Sequence, residues 1–412
     1  MTACGKVQPA APDAGGDAAG DAPGPARITV TNQRDGGAPI NAGLVAYQDG
    51  DGGWQAVSGT NGVYTLQVRA PRYGLVTVCE PTPPAGISYV LIQYHAVSDG
   101  NALFMTDNCD AGVQPTLINI SGFASGQDSG DTVGVSSGMA TATVANGSWS
   151  MKAAAGTGVL LGTRLVSGRV TGIVVQHPTF SDGASYSLNF ANQVLPAESN
   201  VTIDPTATQG ALYASYLDAQ GDVYGIDSPP SGATTYRVLP ADLVGDGISS
   251  LWLTSGTAGS ARQLRRYFKA PKAQTMTLPG AFQPVAPTIV ATTPYQIPKL
   301  TLSTVQGGLY YDVSFSGSFD QPVTSYRYWK ITYTAGWIGD VESFDATLPD
   351  LTGVAGWGDW GLPDAKRTWH AGFHTGPAYS NAGVLGLDAM GRVPNPWHDG
   401  DEVASSSTSG TF

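Results

Sequence analysis

Apolar and polar residues alternate over short runs along this chain, and turn-forming residues separate the runs. Between Asn61-Gly62 and Arg69, for example, Tyr64, Leu66 and Val68 alternate with polar neighbours. A period of two places such side chains on one face of a β-strand. Further runs of strand length and composition occur at 28–31, 44–47, 75–78, 89–94, 103–105, 117–120, 132–135, 140–144, 158–161, 170–176, 185–190, 212–216, 223–226, 235–239, 251–253, 309–315 and 326–333. The pattern therefore predicts an all-β chain.

Helical periodicity is confined to two short segments. They are Ala241–Val244 and Ser260–Phe268, and we expect each to form at most a short helix. The second segment holds most of a small basic run, namely Arg262, Arg265, Arg266 and Lys269, which we interpret as a solvated turn or helix face.

Two Asn-Gly pairs mark hairpins of the same design. Asn61-Gly62 and Asn146-Gly147 are each followed by a variable residue, an aromatic residue and a hydroxyl residue. Asn-Gly favours a two-residue type I′ turn, because both central positions of that turn need positive φ. The distance between the pairs is about one small sandwich, which indicates a weak internal repeat of one fold.

Length and turn content then predict the organisation. The chain has 412 residues with 54 Gly and 28 Pro, enough for several domains separated by turns. We expect tandem antiparallel β-sandwich domains at 28–114, 115–205, 206–288 and 289–412, after a disordered tether at 1–27. The third of these ends in a Pro-rich linker at 279–287, and the fourth is rich in Trp.

The first predicted domain resembles a known family. Gly62-Val63-Tyr64-Thr65-Leu66, within a series of strands over 28–80, is similar to the G-x-Y-x-L strand of the carboxypeptidase-regulatory-like (transthyretin-like) β-sandwich. The resemblance implies a structural or binding module, and it supplies no catalytic residue.

The N-terminus indicates export and lipid attachment. Thr2-Ala3-Cys4 resembles the end of a bacterial lipobox, and Ala, Gly, Asp and Pro dominate the next twenty residues. Such a segment cannot bury a core and is typical of a disordered tether, like those of myxobacterial surface lipoproteins. The resemblance implies a signal peptide and a lipid on Cys4 that holds the protein at the cell envelope, in the outer membrane or at the cell surface. The alternative is a chance cysteine near a terminus.

Two other cysteines, Cys79 and Cys109, form a candidate disulfide, since exported proteins meet an oxidising compartment. In the chain-entropy model, closing their loop would add about 3–4 kcal/mol of stability. The alternative is two buried thiols. The net charge is −12, and Lys and Arg cluster nowhere beyond the short run at 262–269, whereas nucleic-acid binding needs a basic face, so no nucleic-acid partner is expected.

Six of the nine Trp residues lie after 325, and Trp357 and Trp360 share a Gly-rich segment at 356–361. Exposed indole rings in such a loop would bind the apolar faces of sugars. These two residues are therefore the candidate carbohydrate-binding site, with core packing as the alternative.

Histidines cluster in the same region. His370 and His374 are four residues apart and therefore share one face, and His398 precedes Asp399. Three imidazoles with a carboxylate would suit zinc or copper, although the spacing matches no metal motif. Ordinary loop histidines are the alternative interpretation.

Two further letter patterns are interpreted as turns. Asp49-Gly50-Asp51-Gly52 lacks the later ligands of a calcium loop. Gly134-Val135-Ser136-Ser137-Gly138 matches a nucleophile elbow in letters, but a strand rather than a helix follows it.

Three functional hypotheses remain at this point, and none requires a cofactor except the third. The first is a non-enzymatic envelope lipoprotein that acts as a binding or structural scaffold. The second is a carbohydrate- or polymer-binding protein, and the third is a metal-dependent enzyme. Expected partners are the membrane, through the lipid, and a polysaccharide or another envelope protein.

Overall fold

The structure, a computed structural model, describes residues 24–33, 40–79, 87–106, 117–138, 140–207, 210–219, 222–319, 325–376 and 397–412. Within these ranges the chain is almost entirely strand and turn, which confirms the predicted all-β class. No helix in the described part of the chain has the length and apolarity needed to cross a membrane.

Four units follow one another along the chain. The first holds β1 (Ala26–Gln33), β2 (Leu44–Asp49), β3 (Gln55–Ala56), β4 (Val63–Val68), β5 (Arg72–Cys79), β6 (Ile87–Ala96), a 3₁₀ turn (Val97–Asp99) and β7 (Ala102–Thr106). The second holds β8 (Leu117–Ser125), β9 (Thr132–Ser137), β10 (Ala140–Thr143), β11 (Ser148–Ala154), β12 (Gly156–Thr157), β13 (Leu160–Val166), β14 (Arg169–Gln176), β15 (Thr179–Phe180), β16 (Ser185–Asn189) and a 3₁₀ turn (Phe190–Asn192).

The third unit holds β17 (Ala197–Ile203), β18 (Ala211–Leu217), β19 (Val223–Asp227), β20 (Thr235–Val238), α1 (Ala241–Val244), β21 (Ile248–Thr257), β22 (Ser260–Phe268) and β23 (Gln274–Met276). The fourth holds β24 (Thr288–Ala291), β25 (Ile297–Ser303), β26 (Tyr310–Phe319), β27 (Ser325–Thr334), α2 (Ala335–Ile338), β28 (Ser343–Thr347), β29 (Thr368–Thr375) and β30 (Glu402–Thr411).

The first three units share one strand order. Each has a three-stranded sheet, β4-β1-β7, β11-β8-β16 or β20-β17-β23, in which the first strand of the unit lies in the centre. That strand is antiparallel to one neighbour and parallel to the other. Each also has a four-stranded antiparallel group, β3-β2-β5-β6, β10-β9-β13-β14 or β19-β18-β21-β22. The repeat predicted from two hairpins therefore extends to a third unit.

The fourth unit keeps this plan with one change. Its four-stranded group is β27-β26-β29-β30 and its small sheet is β28-β25-β24. β24, which precedes the central strand β25 and pairs with it antiparallel, occupies the edge that a parallel final strand takes in the other units.

Three of the four-stranded groups join into one twelve-stranded sheet, in the order β19-β18-β21-β22-β30-β29-β26-β27-β6-β5-β2-β3. β22 pairs antiparallel with β30, which joins the third unit to the fourth. β27 pairs parallel with β6, which joins the fourth unit to the first. Strands that would be exposed edges in separate sandwiches are therefore paired, and their backbone N–H and C=O groups have partners within the sheet.

The small sheets cover opposite faces of this large sheet. Val45, Tyr73 and Leu75 of the first unit pack toward β1 and β4, whereas Val76 and Val78 on the same strands face the core of the fourth unit. β5 is thus buried on both faces, which explains its nearly continuous apolar sequence.

The second unit lies outside the large sheet and packs against the third. Leu161 and Ile173 share an apolar cluster with Tyr224 and Leu239 of the third unit. A salt bridge of 3.2 Å joins Arg169 to Asp227, whose side chain is fully buried.

Several local predictions can be compared with the structure. Asn61, Gly62, Asn146 and Gly147 all have positive φ, as type I′ turns require, so both hairpins are confirmed. Ala241–Val244 is helical as predicted, and residues 134–137 belong to β9, which is followed by β10 and not by a helix. The helical interpretation of Ser260–Phe268 is wrong: the segment is β22, whose backbone pairs with β21 on one side and β30 on the other.

The boundary between the second and third units differs from the predicted one. β17 lies in the predicted 115–205 domain, yet it pairs with β20 and β23 of the third unit. The second unit therefore ends before Ala197, because the sheet partners of a strand, not its position in the sequence, decide where it belongs.

Candidate functional site

One face of the large sheet carries a group of charged, imidazole and hydroxyl side chains. Seven strands, from β18 to β27 in sheet order, turn one face toward the cores of the third and fourth units, and we call the other side the open face. Since side chains alternate along a strand, the registers identify its members. They include Tyr213, Ser215, Leu217, Ile248, Ser250, Trp252, Thr254, Gln263, Arg265, Tyr267, Val403, Ser405, Ser407, Ser409, His370, Gly372, His374, Tyr310, Asp312, Ser314, Ser316, Tyr328, Lys330 and Thr332.

The charge of the open face differs from that of the whole chain. The chain has 32 Asp and Glu against 20 Lys and Arg. Among these side chains Asp312 is the one carboxylate, and it lies with Arg265, Lys330 and two histidines. The carboxylates of Asp99 and Asp401 lie at the borders of the face, beside Thr334 and Tyr267. The first unit's small sheet stands on this same side of the large sheet, over β5, and borders the face.

Asp312 lies at the centre of the fourth unit's part of the face. It is 7% exposed, and β29 places His370 and His374 beside it. Nε2 of His374 lies 2.6 Å from Oδ1 of Asp312, and Nε2 of His370 lies 3.4 Å from Oδ2. The His374 ring also stacks on Tyr310, with centroids 4.3 Å apart and planes 5° apart.

Electrostatics keep this carboxylate ionised. Burial alone would raise the pKa of Asp312, because it disfavours the charged form. The hydrogen bonds from His370 and His374, with the charges of His374 and Lys330, outweigh burial and hold the pKa of Asp312 well below its usual range. The cluster is therefore an anion enclosed by two imidazoles and an ammonium group.

A row of aromatic rings and one guanidinium crosses the third unit's part of the face. Tyr213 neighbours Trp252 at 5.6 Å between centroids. Arg265 lies over both Trp252 and Tyr267, with its Cζ 5.5 Å from each ring centroid. Tyr267 in turn stacks on Trp397 at 4.2 Å and 7°. The row fixes the position of Arg265 through cation–π contacts.

The three predicted histidines are not brought together. His370 and His374 share Asp312, but the His398 side chain is 85% exposed, and its Nδ1 lies 3.6 Å from Asp401. His398 lies in the turn before β30, whereas the register partners of His370 and His374 on that strand are Ser409 and Ser405. Within the described ranges, no three His, Cys, Asp or Glu side chains form a group that could hold a metal ion.

The two predicted sugar-binding tryptophans belong to the core of the fourth unit. Trp360 is 7% exposed, and Trp357 is half-buried against the same cluster. Nε1–H of Trp329 donates to the carbonyl oxygen of Trp360 at 2.9 Å, and the Trp357 and Trp360 rings meet edge to face at 5.2 Å. The expectation of an exposed loop was wrong because these glycines allow close packing: a Cβ on Gly361 would lie 2.6 Å from Tyr295.

Of the three cysteines, the structure describes Cys79. Cys79 ends β5 and is 3% exposed. Cys4, Cys109 and residues 1–23 of the predicted tether lie outside the described residues, so the lipid on Cys4 and the Cys79–Cys109 disulfide stay predictions. The tether was predicted to reach residue 27, whereas β1 already begins at Ala26.

Sequence reasoning missed Asp312, Lys330, Trp252 and Arg265 as members of one surface. The i, i+4 spacing of the two histidines was the only signal that pointed to this face. The others lie on strands far apart in sequence, and only the pairing of those strands brings them together.

These features define the class: a multi-unit all-β protein whose repeated sandwich units are joined through a shared sheet. No family model matches the chain, and no curated protein matches it.

Solved structures give weak similarities. The Bacillus anthracis TIE protein has a TM-score of 0.16 and 8% identity, over 61% of this chain and 50% of that chain. The streptococcal ancillary pilin has a TM-score of 0.15 and 9% identity, over 61% of this chain and 98% of that chain. The chain thus spans half the length of the first structure, and TM-scores this low carry no argument about fold or function.

Proposed function

We propose that the protein is a non-enzymatic scaffold of the bacterial cell surface, anchored in the envelope by a lipid on Cys4. The observation that supports this most is the twelve-stranded sheet, which joins three of the four units through backbone hydrogen bonds. Units connected only by linkers can rotate against one another, whereas units that share a sheet hold a fixed orientation. A fixed, extended body at the end of a tether suits the display of a surface.

The Asp312 cluster is consistent with a structural role. The Nε2 atom of each histidine faces the carboxylate of Asp312, and this stabilises a buried charge in the middle of the sheet. We also propose, from the Gly62–Leu66 pattern, that the first unit is a carboxypeptidase-regulatory-like module.

The anchor is tested in the cells that make the protein. Cys4→Ser should abolish incorporation of labelled palmitate and move the protein from the membrane fraction to the soluble fraction. Lys6→Gln, which alters the adjacent tether and keeps the cysteine, should leave both unchanged. Label and membrane association that persist in the Cys4→Ser variant would contradict the anchor.

A further inference from the structure

The open face combines cationic groups with aromatic rings and hydroxyl groups. Arg265 and Lys330 are the two permanently charged side chains among its described members, and Asp312, the carboxylate between them, is enclosed by histidines. A local excess of positive charge on a protein with a net charge of −12 indicates a surface that attracts anions.

Arg265 is held by a serine hydroxyl and aromatic rings and not by a carboxylate. Arg164, Arg169, Arg237 and Arg266 each form a salt bridge with a carboxylate. Arg265 forms none with any described residue; it donates to Oγ of Ser250 at 3.3 Å and lies over two aromatic rings. A guanidinium fixed in this way keeps donors for a carboxylate ligand, which arginine binds in a bidentate manner.

The strands between Arg265 and Lys330 present half-exposed hydroxyl groups at Ser405 and Ser407 of β30. Next to them lie His370 and His374 of β29, over the buried Asp312 of β26. β22 and β27 are four strand spacings apart, about 19 Å, and the registers place Lys330 level with Ser409, six residues or about 20 Å along β30 from Val403, the partner of Arg265. The two cations are therefore separated diagonally by about 28 Å. A ligand that uses both must therefore be extended, offer hydroxyl partners along its length and carry separated negative charges.

We propose that the open face binds an acidic polysaccharide, one whose sugar units carry carboxylates. Arg265 and Lys330 bind two carboxylates, the serines bind hydroxyl groups, and Tyr213 and Trp252 offer apolar contact at one end. Tyr213 is 39% exposed and half-exposed Trp252 lies beside it. Single-stranded DNA fits less well, because its backbone offers no hydroxyl groups to the serines between the two cations. This inference uses other residues than the lipid anchor and does not depend on it.

The purified full chain is tested for binding to polygalacturonate, with uncharged dextran and single-stranded DNA as comparison ligands. Polygalacturonate should bind and dextran should not. The double variant Arg265→Gln with Lys330→Gln should weaken binding by at least about tenfold, since it removes both charge-assisted contacts. Added salt should also weaken binding, because the contacts are partly exposed.

A matched control separates this site from the effect of net charge. Arg69→Gln with Lys152→Gln removes two exposed cations from the first and second units and gives the same net charge. Equal weakening in both double variants would overturn the proposal, as would no binding of polygalacturonate or tighter binding of DNA. Thermal unfolding is measured for each variant, and Lys330→Gln alone, at a half-exposed position, serves if the double variant unfolds. These outcomes are independent of Cys4, so the scaffold anchor can fail while this site stands.

Discussion

Asp312 shows how a single residue can be costly and still stabilise the fold. A carboxylate that is 7% exposed loses its hydration, and an unpaired charge there would be strongly unfavourable. Two imidazole N–H groups and the nearby Lys330 offset that loss and lower the pKa of Asp312. The ionised form of Asp312 is therefore more favourable in the native state than in the unfolded chain.

Asp312→Asn should destabilise the protein by about 1–3 kcal/mol at pH 7, because the charged acceptor of both histidines is lost. The folded pKa of Asp312 is lowered, so its contribution is full above the unfolded value of about 3.9 and is lost as the pH falls through the folded pKa. Urea unfolding at pH 7 and at successively lower pH measures the difference. Asp51→Asn, at an exposed position, should change stability little. A difference between Asp312→Asn and wild type that is constant down to pH 2 would contradict this account.

At this scale the sequence predicted the relation between His370 and His374 but not their partner. Two residues four apart on one strand share a face by geometry alone. Asp312 lies on the neighbouring strand, far from them in the chain, and no local pattern indicates that β26 pairs with β29. For the same reason His398, close in sequence, was wrongly grouped with them.

Among elements, the two Asn-Gly hairpins form the same turn in different surroundings. Gly62 and Gly147 have φ values of 73° and 78°, which non-glycine residues rarely adopt. A Cβ on Gly147 would meet only the carbonyl oxygen of Ala124, at 3.7 Å. A Cβ on Gly62 would lie 2.5 Å from the carbonyl oxygen of Asn32 and 2.7 Å from the nitrogen of Ile40.

Gly147→Ala should therefore cost about 1–2 kcal/mol, the cost of the left-handed conformation for a residue with a Cβ. Gly62→Ala should cost clearly more, because the backbone around Asn32 and Ile40 must also move. Urea unfolding of the two variants measures both values, and each variant is the control for the other. Equal losses, or a larger loss for Gly147→Ala, would show that the close contacts at Gly62 are unimportant.

Elements with a recognisable local sequence pattern could be predicted. Elements whose structure depends on pairing with distant strands could not. The hairpins follow from turn chemistry, and β4 follows from its alternation. β22 has arginines at positions that also suit a helix, and only its pairing with β21 and β30 makes it a strand. Similarly, the glycines beside Trp357 and Trp360 indicated an exposed loop. In the structure their lack of a Cβ lets the segment pack closely, as Gly361 does against Tyr295.

On the scale of the whole molecule, edge strands decide the architecture. Each four-stranded group on its own would expose two edges, and exposed edges pair readily with other strands. Here the edges β22, β30, β27 and β6 pair with one another, and the sheet ends at the short strands β3 and β19. The sequence predicted separate tandem sandwiches, because nothing in a single strand shows which distant edge it will meet.

The shared sheet is also what makes the proposed scaffold and the open face possible. Arg265 lies in the third unit and Lys330 in the fourth, so their separation is fixed only if β22 and β30 remain paired. If the units moved independently, the open face would not exist as one surface.

Native-state hydrogen exchange of the full chain tests the shared sheet most directly. Backbone amides at the junctions, in β22 and β30 and in β27 and β6, should be protected as strongly as those of β26 and β29 inside the fourth unit. Amides of β19, at the true end of the sheet, should exchange faster and serve as the internal reference. Exchange at the junction strands as fast as in β19 would show that the units are separate sandwiches and would contradict the account.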